Sequence, residues 1–120
     1  NDQCDFENIF IKTARGVLMD NSVSHKAQVH LTSGIQTAGN IFTLEKVSDT
    51  EIERIIYAEI EKYRIRFKDS DEGFIKNWPT LYTISGWLVS MQRGGKLSAH
   101  MHDTGWITGS VYINVPPKSK

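Results

Sequence analysis

The stretch KLSAHMHDTGWITGSVYINVPP, residues 96–117, decides how the chain is read. Its alternation predicts a strand over KLSAHMH (96–102), a turn at DTG (103–105) and a further strand over WITGSVYINV (106–115), closed by Pro116. Successive side chains of a strand face opposite sides, so His100 and His102 are expected on one face and Met101 on the other. Two neutral imidazoles one strand repeat apart, about 6–7 Å, are able to converge on one metal ion. The pair is therefore a candidate metal site directed into a concavity. The same residues also suit a half-exposed strand with no ligand at all.

Working back from this run, TLYTISGWLVSMQ (80–92) carries the Thr, Tyr, Ile, Trp and Val of a strand, and RGG (93–95) reads as a hairpin turn. Residues 78–117 are thus expected to be antiparallel β. Before them, Ser48 and Glu51 form the S-x-x-E pattern of a capping box. Ile52, Ile55, Ile56, Ile60, Tyr63 and Phe67 then mark one face of a helix over about 49–68. Acids lead this helix and bases close it, and Glu59 with Lys62 and Glu61 with Arg64 are placed to pair at i, i+3 on a solvated face. A first helix is expected from an Asp5 N-cap through Phe6, Ile9, Phe10, Thr13 and Val17, ending near Asp20-Asn21. Residues 22–47 read as loop and short strands, with IFTLEKV (41–47) in strand-like alternation. The fold class is α+β. One domain over 1–120 has a helical and loop part, 1–77, packed on an antiparallel sheet or half-barrel, 78–117.

Composition narrows the function classes. The 120 residues are 39% apolar, enough for one small core, and 14 Lys+Arg balance 14 Asp+Glu. A neutral chain without a basic, aromatic-studded patch argues against nucleic acid or an anionic membrane as partner. No apolar stretch reaches the roughly 20 residues of a membrane span. The single Cys4 forms no intramolecular disulfide, in keeping with a reducing, cytoplasmic setting. The chain opens without Met on Asn1-Asp2-Gln3 and closes on Pro116-Pro117-Lys118-Ser119-Lys120, so it is expected to be a piece of a longer protein.

Ser85-Gly86-Trp87, Gly94-Gly95, the His100/His102 pair and the run from Gly109 to Pro116 together resemble the 2-oxoglutarate/Fe(II)-dependent oxygenases of bacteria, particularly those whose oxygenase region follows tetratricopeptide repeats. The resemblance is strongest over Trp78 to Pro117, weaker over SGIQTAGNIF (33–42) and the helix near 53–70, and runs through most of the chain. It implies the first half of a double-stranded β-helix (a jelly-roll or cupin-like fold), with Fe(II) held by His100 and His102. It further implies 2-oxoglutarate as co-substrate, hydroxylation as the reaction, and a protein or peptide substrate where tetratricopeptide repeats precede the domain. Two departures stand out. The usual H-x-D/E has His102 in the acidic position, with Asp103 one residue on and expected on the opposite face. No histidine follows His102, and the only later cations, Lys118 and Lys120, sit in linker-like sequence rather than on a strand that could hold the far carboxylate of 2-oxoglutarate. The rest of the site is then expected beyond these residues. Alone, they should bind metal weakly, catalyse nothing, and self-associate through the edge beside 106–115.

Two other readings share these residues. Gly94, five residues and H-x-H reproduce the start of a cupin metal motif, although Trp106 and Ile107 stand where its Glu is expected. A non-catalytic ligand- or protein-binding domain would use Trp78, Trp87, Trp106 and Tyr112 as a groove, where aromatics on strands more often form core. Trp87, Gln36 and Tyr112 are candidate cavity walls. Gln36, Thr37 and Asn40 are explained equally by a turn at Gly39-Asn40, and His25 and His30 read as loop histidines.

Overall fold

The first helix, α1, spans Asp2–Leu18, and its residues seven apart, Phe10 and Val17, both bury. A computed structural model describes residues 2–26, 30–48, 50–100, 102 and 104–113, and side chains from Glu7 on. Met101, Asp103 and residues 114–120, among them Pro116, Pro117, Lys118 and Lys120, lie outside the described residues. α1 starts three residues ahead of Asp5, which therefore sits within the helix rather than capping it. Its end is fastened by Asp20, whose Oδ1 accepts from Ser22 N at 2.9 Å and Ser22 Oγ at 2.6 Å, while Oδ2 meets Lys46 Nζ at 3.1 Å. These bonds hold the Asp20 carboxyl down at about 2.

Three antiparallel strands form one sheet in the order β1-β2-β3: β1 is His25–Lys26, β2 is Leu31–Thr37 and β3 is Val89–Leu97. The α+β class holds: β1 and β2 fall within 22–47, read from sequence as loop and short strands, and β3 falls within 78–117. β2 pairs with a strand more than fifty residues later, a non-local choice that short-range patterns do not encode. That pairing also explains Arg93-Gly94-Gly95, which forms no hairpin turn but lies inside β3 as an irregularity. Thr32 and Gly34, two apart on β2, face Lys96 and Met91, five apart on β3. Gly94 takes φ +80°, and a side chain at Gly95 would strike the carbonyl of Ser33 at 2.7 Å, so both glycines serve the bulge.

IFTLEKV is not a strand. Asn40 Oδ1 accepts from Phe42 N at 3.1 Å and starts a 3₁₀ turn, Ile41–Thr43, which leads into α2, Glu45–Ser48. Ser48 thereby closes α2 and cannot cap the next helix. Thr50 Oγ1 instead accepts from Ile52 N at 3.3 Å, in place of the expected capping box. α3 runs Ile52–Arg66, within the expected limits, with Lys62–Glu59 at 2.9 Å and Arg64–Glu61 at 2.8 Å as anticipated. Its apolar face buries at Ile52 and opens toward Tyr63 and Phe67, each 41% exposed. α4 is the single turn Gly73–Lys76. Tyr82 ties the segment before β3 to α3 by donating to Glu61 Oε1 at 2.8 Å, and burial pushes its phenol pKa up. The core is Val17, Ile41 and Val47, with Val23, Phe42, Leu44 and Leu88 packed round it. No helix among the described residues is long and apolar enough to cross a membrane.

Candidate functional site

TISGWL (83–88) precedes β3 and belongs to no strand, and side chains of the QTAGN run hold it in place. Asn40 Oδ1 accepts from Gly86 N at 3.0 Å, Asn40 Nδ2 donates to Ile84 O at 3.4 Å, and Ile41 N donates to Gly86 O at 2.9 Å. Two residues on, Thr37 N donates to Leu88 O at 3.0 Å and Thr37 Oγ1 accepts from Leu88 N at 2.9 Å. Thr37 is 1% exposed, so this pairing satisfies a hydroxyl that burial would otherwise penalise. Gly86 faces Phe42, whose Cε2 would lie 2.6 Å from any Cβ there, while Leu88 joins the core. The alternation leaves Ser85 and Trp87 on the other side, facing a cavity.

The opposite wall comes from the end of β3. Leu97 pairs with Leu31, the first residue of β2, and Ser98 N donates to His30 O at 2.8 Å. Beyond Ser98 no further pair joins this ladder among the described residues. His100 and His102 therefore do not share a strand, and residues 106–113 are not a strand either, contrary to expectation. Both histidines nevertheless line the same cavity. The side-chain geometry there is specific. His100 Nδ1 lies 2.7 Å from Ser98 O, an acceptor only, so the neutral ring is the Nδ1–H tautomer, with its lone pair on Nε2. The ring of His100 meets that of His102 edge to face with centres 4.8 Å apart, and Trp87 lies 5.3 Å from His102.

His30, read from sequence as a loop histidine, belongs to this cluster. Its ring stacks on His100 with centres 5.1 Å apart and planes 10° apart, and its Nδ1 is 3.2 Å from Ser98 Oγ. The one advance signal was its place directly before the strand run LTSGIQT, on the strand that receives β3. The cavity measures about 620 Å³, within the range of small-molecule sites. Besides the three histidines and Trp87 it is lined by Lys26, Gln36, Thr37, Gly39, Asn40 and Ser85. Gln36 and Trp87 are among the residues lining this cavity, whereas Tyr112, 80% exposed, and His25 are not. Trp106 is also outside, with its indole N–H donating to Phe74 O at 3.0 Å.

Fe(II) can be tested against this donor set. An imidazole bound at about 2.1 Å has its ring centre roughly 3.2 Å from the metal, so two at right angles lie about 4.5 Å apart. The centres of His100 and His102 are 4.8 Å apart, close to that separation, with their planes at 75°. A metal in the plane of two nearly parallel rings requires them side by side, so the stacked His30 and His100 do not share an ion as they stand. Among the described residues no group of three His, Cys, Asp or Glu is disposed to hold a metal ion. The donors brought close together are thus two imidazoles, and a third donor beside them is not found among the described residues.

No curated protein and no solved structure matches the chain. A family model described as "Putative 2OG-Fe(II) oxygenase" matches residues 85–120, a segment that includes Ser85, Trp87, His100 and His102 and to which this part of the chain is therefore similar.

Proposed function

We propose that the chain contributes the metal-binding part of a 2-oxoglutarate/Fe(II)-dependent oxygenase, with His100 and His102 as two of the protein ligands. One observation carries the reading: inside the matched segment, the two imidazoles meet at 4.8 Å on the wall of one cavity. Fe(II) bound with 2-oxoglutarate supplies the O₂-dependent hydroxylation of a C–H bond. The chain's own residues do the rest. Ser98 O fixes the His100 tautomer that leaves Nε2 unprotonated, the outer hydrogen bond that metal-bound histidines usually keep. Trp87, beside His102, covers the site with an apolar face and limits the entry of water. The third ligand on this reading is Asp103 or a residue outside these 120, and the three-stranded sheet is one wall of a jelly roll. The bacterial, tetratricopeptide-linked setting and a protein or peptide substrate rest on the sequence resemblance.

The test is anaerobic addition of Fe(II) and then 2-oxoglutarate. A visible charge-transfer absorption band requiring both reagents, and lost in His100→Ala, supports the proposal. Its absence at millimolar 2-oxoglutarate, with Fe(II) bound, overturns it. That no third donor stands beside the pair among the described residues favours a second reading, a non-catalytic ligand-binding domain on the same cavity. That reading requires a ligand to bind without metal.

A further inference from the structure

Charge is segregated along the chain. The stretches 21–44 and 73–102, which hold all three strands, contain no Asp or Glu. Within them β3 carries Arg93 and Lys96, both exposed and neither in an ion pair among the described residues, whereas Arg54, Lys62 and Arg64 of α3 are each paired with a glutamate three residues earlier. Both cations of β3 lie outside the lining of the histidine cavity. β3 is also an edge of the sheet. In the order β1-β2-β3 it pairs with β2 on one side, and among the described residues no strand pairs with its other side. A strand edge presents a row of backbone N–H and C=O groups that pair readily with another extended chain. Met91 and Leu97 are exposed along the same strand.

We propose that the outer edge of β3 docks an extended acidic peptide segment of a partner protein, which adds a strand through its backbone and sets carboxylates against Arg93 and Lys96. The charges select the occupant. A second copy of this chain meeting the first edge to edge would bring Arg93 and Lys96 of both strands together with no acid on either, and like charges across a strand pair oppose association. The bulge at Gly94-Gly95 guards the edge in the same sense. An acidic segment meets the same cations with the opposite sign, and apolar residues among its carboxylates have Met91 and Leu97 to lie along. Single-stranded nucleic acid is also negative, but it has no row of amides to pair with a strand edge. Docking of this kind needs no metal and does not depend on the oxygenase reading.

The probe is a fluorescein-labelled peptide alternating glutamate and valine, titrated into the metal-free chain and followed by anisotropy at low and at physiological salt. Its comparisons are the same peptide with lysine in place of glutamate, the glutamate peptide N-methylated on alternate residues in either phase, and oligothymidylate. The native chain is expected to bind the glutamate peptide about tenfold more tightly than the lysine peptide or the better of the N-methylated ones, and less tightly as salt rises. Arg93→Glu combined with Lys96→Glu should weaken that binding by about tenfold, and the milder Arg93→Gln with Lys96→Gln, which serves where charge reversal unfolds the chain, by about threefold. Hydrogen exchange at the β3 amides of the native chain should slow when the glutamate peptide is added. Several results would overturn the proposal: no binding of the glutamate peptide at millimolar concentration, equal binding by a folded double variant, equal binding of both N-methylated peptides, or tighter binding of oligothymidylate. Protection of the β3 amides by self-association of the peptide-free chain would overturn it as well.

Discussion

The carbonyl of Ser98 lies 2.7 Å from Nδ1 of His100, two residues along the same chain. A carbonyl cannot donate, so the neutral imidazole is the Nδ1–H tautomer. ¹⁵N-correlated NMR of the histidine rings at pH 8 should show the proton of His100 on Nδ1 and an unprotonated Nε2. A dominant Nε2–H form would remove the lone pair from the atom the account needs as ligand.

Gly86 and Gly16 should respond oppositely to alanine. A Cβ at Gly86 would stand 2.6 Å from the ring of Phe42, which packs against the core and would have to shift, so Gly86→Ala should cost about 1–3 kcal/mol in urea unfolding. Gly16 lies within α1 with nothing inside 4 Å of an added Cβ. Gly16→Ala should add about 0.5–1 kcal/mol of stability. Equal effects of the two would contradict the close approach of the Gly86 backbone to the 3₁₀ turn.

Asp20 sets an acid limit. Its carboxyl is held at about 2, below the 3.8 of the free side chain, chiefly by hydrogen bonds from Ser22. A depressed folded value means that the stabilisation is complete above the unfolded pKa and is lost as pH falls through the folded one. Stability followed by urea titration from pH 5 to pH 2 should therefore fall less steeply in Asp20→Asn than in the native chain. Parallel curves would show that the Asp20 contacts contribute nothing to the acid response.

What could be read in the sequence divides by range. α3 and two of its ion pairs were legible because period, charge order and i, i+3 spacing are local. The strand expected over 41–47 failed on a local signal that was present, the Asn40 cap. The bulge at Gly94-Gly95 and the departure of His100 and His102 from the strand depend on which segment β3 pairs with, and within the loop and short strands expected over 22–47 the bounds of β2 were obscured by weak alternation broken by Ser33, at φ 52°, and Gly34. At the site, the H-x-H pair announced itself, but not its neighbours. His30 and Lys26 arrive by strand pairing, and neither spacing nor composition ties residue 26 or 30 to residue 100.

The central claim is that His100 and His102, and not the stacked His30, hold a metal ion in this cavity. Anaerobic Mn(II) titration followed by electron paramagnetic resonance tests it most directly. The account predicts one Mn(II) per chain, binding lost in His100→Ala and in His102→Ala, and an affinity within about threefold of the native value in His30→Ala. Unchanged binding in either of the first two variants, or its loss in His30→Ala with circular dichroism intact, would contradict it.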